Sequence, residues 1–130
     1  MKLVTSIFCF TLLVMFKGNA QQANFNTFIC NTWKISYYEH EGKKIPPMPQ
    51  QKNDKMIFYP NHKVKSFESG HTQEGTWNFD LSSNLLVITD DINKAKAMMR
   101  VGKINAKECV LEFNDPKGQL VKLHMIAASK

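Results

Sequence analysis

From Thr32 onward the chain alternates between apolar and polar positions. Trp33, Ile35 and Tyr37 fall on one side, and Lys34, Ser36 and Tyr38 on the other, the period of two of a half-buried strand. Similar runs recur from Lys55 to Tyr59, Val64 to Glu68, Gln73 to Phe79 and Leu85 to Thr89, then from Lys94 to Ile104, Lys107 to Phe113 and Leu120 to Ile126. The alanine and methionine content of the run from Lys94 permits a helix, but charges alternating with Ala97, Met99 and Val101 favour a strand. The breaks between runs are turn-like: Pro60-Asn61, Ser69-Gly70, Leu81-Ser82-Ser83-Asn84, Asp90-Asp91, Asn105-Ala106 and, most strongly, Asn114-Asp115-Pro116-Lys117-Gly118. Connections this short make sequential strands antiparallel neighbours, with no segment long enough for a crossover helix. A sheet of eight such strands must manage its two edges, and closure removes them. The pattern therefore predicts an all-β, eight-stranded antiparallel up-and-down β-barrel whose first strand pairs with its last, with an open two-sheet sandwich as the alternative. Phe25 and Phe28, in the polar stretch before the first strand, are spaced for a short N-terminal helical turn covering one end.

Residues 40–53 interrupt the alternation. Gly42, Pro46, Pro47 and Pro49 oppose regular pairing, because proline lacks the ladder donor. A loop of this length is either a lid over a binding site or a surface connection.

Residues 1–20 read as a signal peptide: Lys2, an apolar run from Leu3 to Phe16, then Gly18-Asn19-Ala20 as a cleavage site. The expected product is one exported domain, periplasmic or secreted, covering residues 21–130. The run is shorter than the roughly 20 residues of a membrane span. Removing Lys2 and Lys17 from the 17 basic side chains leaves 15 against 11 acidic ones, an excess of +4 in place of +6. The lysines are scattered among apolar residues, without the basic stripe or motif of a nucleic-acid binder. Cys30 and Cys109 remain after cleavage, and an oxidising compartment permits a disulfide between them; two buried thiols are the alternative.

The order of an aromatic first strand, a long loop, the Phe58-Tyr59-Pro60-Asn61 hairpin, Glu74-Gly75-Thr76-Trp77, Leu85-Leu86-Val87-Ile88 and Val110-Leu111-Glu112 resembles the lipocalin-like domain of small secreted bacterial proteins, a calycin-type barrel. The likeness spans nearly all of the chain after residue 20. Where lipocalins carry Gly-x-Trp on the first strand, this sequence reads Asn31-Thr32-Trp33. The arginine usual on the last strand is absent, with Lys122 or His124 in its place. The resemblance implies a barrel able to hold a small apolar molecule.

With both tryptophans inward, the interior is expected to include Trp33, Ile35, Tyr37, Met56, Phe58, Trp77, Phe79, Leu85 and Val87, with Met98 or Met99 and one face of Leu111 to Phe113. Such residues make either an aromatic cavity with adaptable methionine walls or a filled core. Burying about 300 Å² of ligand surface gains roughly 7 kcal/mol, which association costs of about 4–15 kcal/mol largely offset. Useful affinity therefore needs placed polar groups, and Tyr37, Arg100, Lys122 and His124 are the candidates. An inward Arg100 or Lys122 would suit an anionic head group. The histidines His40, His62, His71 and His124 lack metal-ligand spacing. No nucleophile elbow surrounds Ser66, Ser69 or Ser129, and no phosphate loop is present. The expectation is a binding protein for a small hydrophobic or amphipathic ligand, not an enzyme, with no cofactor and no metal. The competing expectation is a filled barrel acting through its surface, with the long loop, Tyr38 and Tyr59 as contacts.

Overall fold

The computed structural model describes residues 24–128. The expected leader and its cleavage point near Ala20 lie outside the described residues. A short helix, α1 (residues 24–29), precedes nine strands. These are β1 Thr32–His40, β2 Lys43–Ile45, β3 Lys55–Phe58, β4 Lys63–Glu68, β5 His71–Asp80, β6 Leu85–Asp90, β7 Lys96–Ile104, β8 Glu108–Asn114 and β9 Leu120–Ala127. The hydrogen-bonded order runs β1-β3-β4-β5-β6-β7-β8-β9, and β9 pairs antiparallel with β1 along most of both strands. Eight strands thus close a barrel, and the sheet has no open-sandwich edge between β1 and β9.

The stretch read as an irregular loop contains the ninth strand. Glu41 (φ 53°) and Gly42 (φ 75°) form a turn with both central residues in the left-handed region. Its backbone twist matches that of a two-residue hairpin, so β2 folds straight back on β1, pairing His40 with Lys43 and Tyr38 with Ile45. On β1, β3 reaches only Thr32, Trp33 and Lys34, leaving the upper edge of β1 free for β2. Pro46 and Pro47 then stop the pairing, and Pro49–Gln51 forms a single 3-10 turn.

Two local features decide which side chains face inward. First, the β1–β9 register shifts between Ile35 and Tyr37. A bulge adds one residue and reverses the facing of the residues beyond it, so Trp33 and Ile35 point inward, then Tyr38 does so in place of Tyr37. Second, the turn after β5 pairs Phe79 with Leu86 and Trp77 with Ile88, leaving Asn78 opposite Val87 and Asp80 opposite Leu85. Opposite residues share a face, which puts Leu86 and Ile88 inside. Leu85 and Val87, expected inside, lie outside.

One end of the barrel is closed by α1. Phe25 stacks on Phe79 at 3.8 Å between centroids and meets Trp77 edge-on at 6.3 Å. Both indoles are buried with their N–H groups satisfied: Trp33 Nε1 donates to the Ile29 carbonyl at 2.9 Å and Trp77 Nε1 to that of Tyr59 at 3.0 Å. Phe58, Val64, Leu86, Val101, Cys109 and Leu111 complete this core. Gly75 faces the same interior. A Cβ there would overlap the backbone carbonyl oxygen of Thr89 on β6, so the strand can approach its neighbour only with glycine at this position.

Candidate functional site

The other end is not filled. Above Trp33 and Met125 the interior opens into a cavity of about 540 Å³, within the roughly 300–1,000 Å³ of small-molecule sites. Its lower walls are apolar, formed by Trp33, Ile35, Met56, Ile88, Met99, Leu123 and Met125 from β1, β3, β6, β7 and β9. A side pocket of about 300 Å³ shares Met56, Ser66, Gln73, Ile88 and Ala97 with it and reaches Gly75. The interior widens here because the residues facing it are Ser66, Gln73, Gly75 and Ala97, where the opposite end has Phe58, Trp77 and Phe79.

Polarity appears only toward the mouth. Tyr38, Asp54, Lys55, Ser66, Glu68, Gln73 and Asn114 line it. Asp54, 7 % exposed, stands just before β3, and its Oδ1 accepts the Ser69 amide across the top of the β3–β4 pair at 2.9 Å. Gln51, on the 3-10 turn, donates from Nε2 to the Tyr38 hydroxyl at 3.3 Å. Its Oε1 accepts the Met48 amide at 2.9 Å, a cap within the turn, so that the Tyr38 contact is what ties the turn to the rim of the barrel. Burial pushes the Tyr38 phenol above its ordinary pKa. The Gln51 hydrogen bond opposes this, and the negative charges of Asp54 and Glu68 reinforce it. At neutral pH the phenol is therefore a neutral hydroxyl beside two carboxylates.

Of the residues singled out from the sequence, the cavity brings together Trp33, Ile35 and Met56. Phe58, Trp77 and Phe79 face inward but belong to the packed end under α1. Tyr37, Val87, Arg100, Lys122 and His124 are on the outer face. For Tyr37 and Val87 the causes are the β1 bulge and the β5–β6 register. Arg100 alternates with inward Met99 and Val101, while Lys122 and His124 alternate with inward Leu123 and Met125. Three of these outer groups, Tyr37, His124 and Lys122, lie close to charged or aromatic neighbours, although His124 Nε2 makes no hydrogen bond. Tyr37 stacks on His124 at 4.1 Å, the Lys44 ammonium sits 4.2 Å from the Tyr37 ring centre, and Glu39 lies 3.6 Å from His124 Nε2 and 4.0 Å from Lys122 Nζ. The reading of Tyr38 as an exposed contact is likewise corrected, since its ring lines the cavity. Tyr59 is exposed, at the closed end.

The polar mouth was not anticipated. Its signal is faint in the sequence: the inward face of β4 reads Val64, Ser66, Glu68, turning from apolar to charged toward the opening. Phe67 masks this signal because it lies on the outer face, between the ammonium groups of Lys55 (4.9 Å) and Lys65 (5.4 Å).

Cys30 and Cys109 are both free thiols, so the permitted disulfide is not formed. Cys109 is fully buried and its thiol is pushed up to about 12 by that burial; burial also raises Cys30. Among the described residues no group of three or more His, Cys, Asp or Glu side chains is arranged to hold a metal ion. No helix among them is long and apolar enough to cross a membrane.

The chain is similar in fold to a lipocalin-like protein from Bacteroides uniformis ATCC 8492, with a TM-score of 0.58 and 13% identity, over 77% of this chain and 98% of that one. It is also similar to a DUF4847 family protein from Bacteroides vulgatus ATCC 8482, with a TM-score of 0.55 and 11% identity, over 79% and 96% of the two chains. At these identities the likeness concerns the fold, which is lipocalin-like. No protein-family model matches the sequence, and no curated protein matches it either.

Proposed function

We propose that this chain is an exported binding protein that holds one small hydrophobic or amphipathic molecule inside a lipocalin-like barrel, and that it performs no chemistry on it. One observation carries the reading: a cavity of about 540 Å³ whose floor is apolar and whose mouth is polar. An apolar floor supplies binding energy in proportion to area, roughly 25 cal/mol per Å². The mouth supplies the few polar groups that set orientation. Methionines in the wall adapt to an irregular ligand. Gln51, anchored on Tyr38, supports the lid reading of the preceding loop.

Export is proposed on the sequence of residues 1–20, and it is tested by the N-terminus of the extracytoplasmic product, expected near Gln21. Binding is tested by tryptophan fluorescence with fatty-acid, sterol and haem probes. Trp33 forms part of the cavity floor, so an occupant changes its emission, and Trp33→Phe removes that response while Trp77 continues to emit. A panel that leaves the emission of the folded protein unchanged throughout contradicts the proposal.

A further inference from the structure

The charge inside the cavity differs in sign from the charge of the whole chain. The sequence carries an excess of six positive charges, yet the carboxylates lining the mouth, Asp54 and Glu68, are matched by one lining cation only, Lys55. Lys55 contributes its stem. It alternates with inward Met56, and its ammonium is 4.9 Å from the ring centre of Phe67 on the outer face. Arg100 and Lys122, the cations that would have suited an anionic head group, are outside with Glu112 and Glu39 as neighbours. Asp54 is held in place by the Ser69 amide and is more than nine-tenths buried. Tyr38 adds a neutral hydroxyl and an aromatic face, and Ser66 and Gln73 add hydrogen-bonding groups below it.

We propose that the cavity is selective for an amphipathic organic cation, with an apolar body on the Trp33–Met125 floor and a protonated amine between Asp54, Glu68 and the Tyr38 ring. This rests on the binding function proposed above and specifies the ligand's chemistry. A carboxylate at the same level meets two like charges in a partly desolvated mouth, which is unfavourable. An ammonium there gains two charge-assisted hydrogen bonds and a cation–π contact. A neutral alcohol of the same length donates at most one hydrogen bond to a carboxylate, brings no positive charge and makes no cation–π contact, and it defines the baseline. Because Glu68 is exposed and its contribution is screened by salt, the amine's advantage shrinks with ionic strength while the alcohol's affinity does not.

The test compares octylamine, octanol and octanoate at neutral pH by calorimetry and Trp33 fluorescence, in low and high salt. The amine is expected to bind at least tenfold more tightly than the alcohol, and octanoate more weakly than either. Glu68→Gln, at an exposed position that folding tolerates, is expected to cut the amine's advantage several-fold and leave octanol unchanged. Asp54→Asn keeps an oxygen for the Ser69 amide and is expected to act in the same direction. Octanoate binding as well as the amine, or an amine preference unaffected by Glu68→Gln, overturns this inference while leaving the binding function intact. If none of the three probes binds while a fatty-acid, sterol or haem probe does, this inference alone fails; if nothing binds the folded protein, both fail.

Discussion

The closed end of the barrel depends on Phe25, and Phe25→Ala measures how much. The side chain is 3 % exposed, stacks on Phe79 and meets Trp77 at an edge. Truncating a buried phenylalanine costs about 3–5 kcal/mol, from lost transfer energy and the cavity left behind. Aromatic geometry adds about 0.5–1.5 kcal/mol per pair beyond area. Against this, α1 spans only residues 24–29 and lies at the end of the chain that the structure describes. Its release lets water reach the site and relieves the cavity, so the lower end of the range, about 3 kcal/mol, is expected. With a urea dependence of about 1–3 kcal/mol per M for a domain of this size, the midpoint of unfolding falls by about 1–3 M. The assay is urea unfolding followed by tryptophan fluorescence, in which a constant slope verifies that only stability has changed. A second readout is specific to the plug: the Trp33 indole proton, bonded to the Ile29 carbonyl at 2.9 Å, exchanges faster in the variant. A midpoint shift below about 0.3 M refutes the docking of α1 as an energetic component of the fold.

The core supplies further expectations. Gly75→Val places a branched Cβ on the Thr89 carbonyl oxygen; because the obstacle is backbone, about 3 kcal/mol or more is lost, seen as a lower urea midpoint or insoluble protein, and an unaffected midpoint contradicts the close approach. Burial pushes the Cys109 thiol from 9.0 up to about 12 in the fold. A raised folded value means that the thiol's contribution to stability is complete below pH 9.0 and is lost as pH rises toward about 12. Between pH 8 and 10 this amounts to about 1.4 kcal/mol, one unit's worth, and it is read as the difference in midpoint shift between the protein and Cys109→Ala. Without reductant, Cys30 and Cys109 both react with iodoacetamide after unfolding, and Cys109 is protected in the native state; a mass showing neither alkylated indicates the disulfide that the structure lacks.

The barrel was legible because every link in its logic is local. Period-two runs, turns such as Asn114 to Gly118, and short connections specify antiparallel neighbours, and closure results from the edges. The interior was legible where alternation is unbroken, as at Trp33, Ile35, Met56 and Trp77. It failed at two kinds of position. At Leu85 to Ile88 four apolar residues in a row carry no parity, and only the β5–β6 register sets it. At Tyr37 a bulge, invisible in composition, reverses the facing. That single inversion exchanges Tyr37 for Tyr38 and so removes one candidate from the cavity and supplies another. The polar mouth was missed for a related reason. Asp54 precedes β3 in a stretch that reads as loop, and Glu68 closes a strand whose obvious apolar residue, Phe67, faces outward. β2 was hidden by the prolines after it, although the Glu41-Gly42 turn that creates it is short and contains the expected glycine.

The central claim is that the barrel's open end holds a ligand. Native mass spectrometry of the protein isolated from the cells that make it tests this most directly. The expected result is a population heavier than the chain mass by one small molecule, released on denaturation and absent from a variant whose cavity is narrowed by Ala97→Phe. A folded population at the bare chain mass alone, with no adduct before or after addition of amphipathic probes, contradicts it.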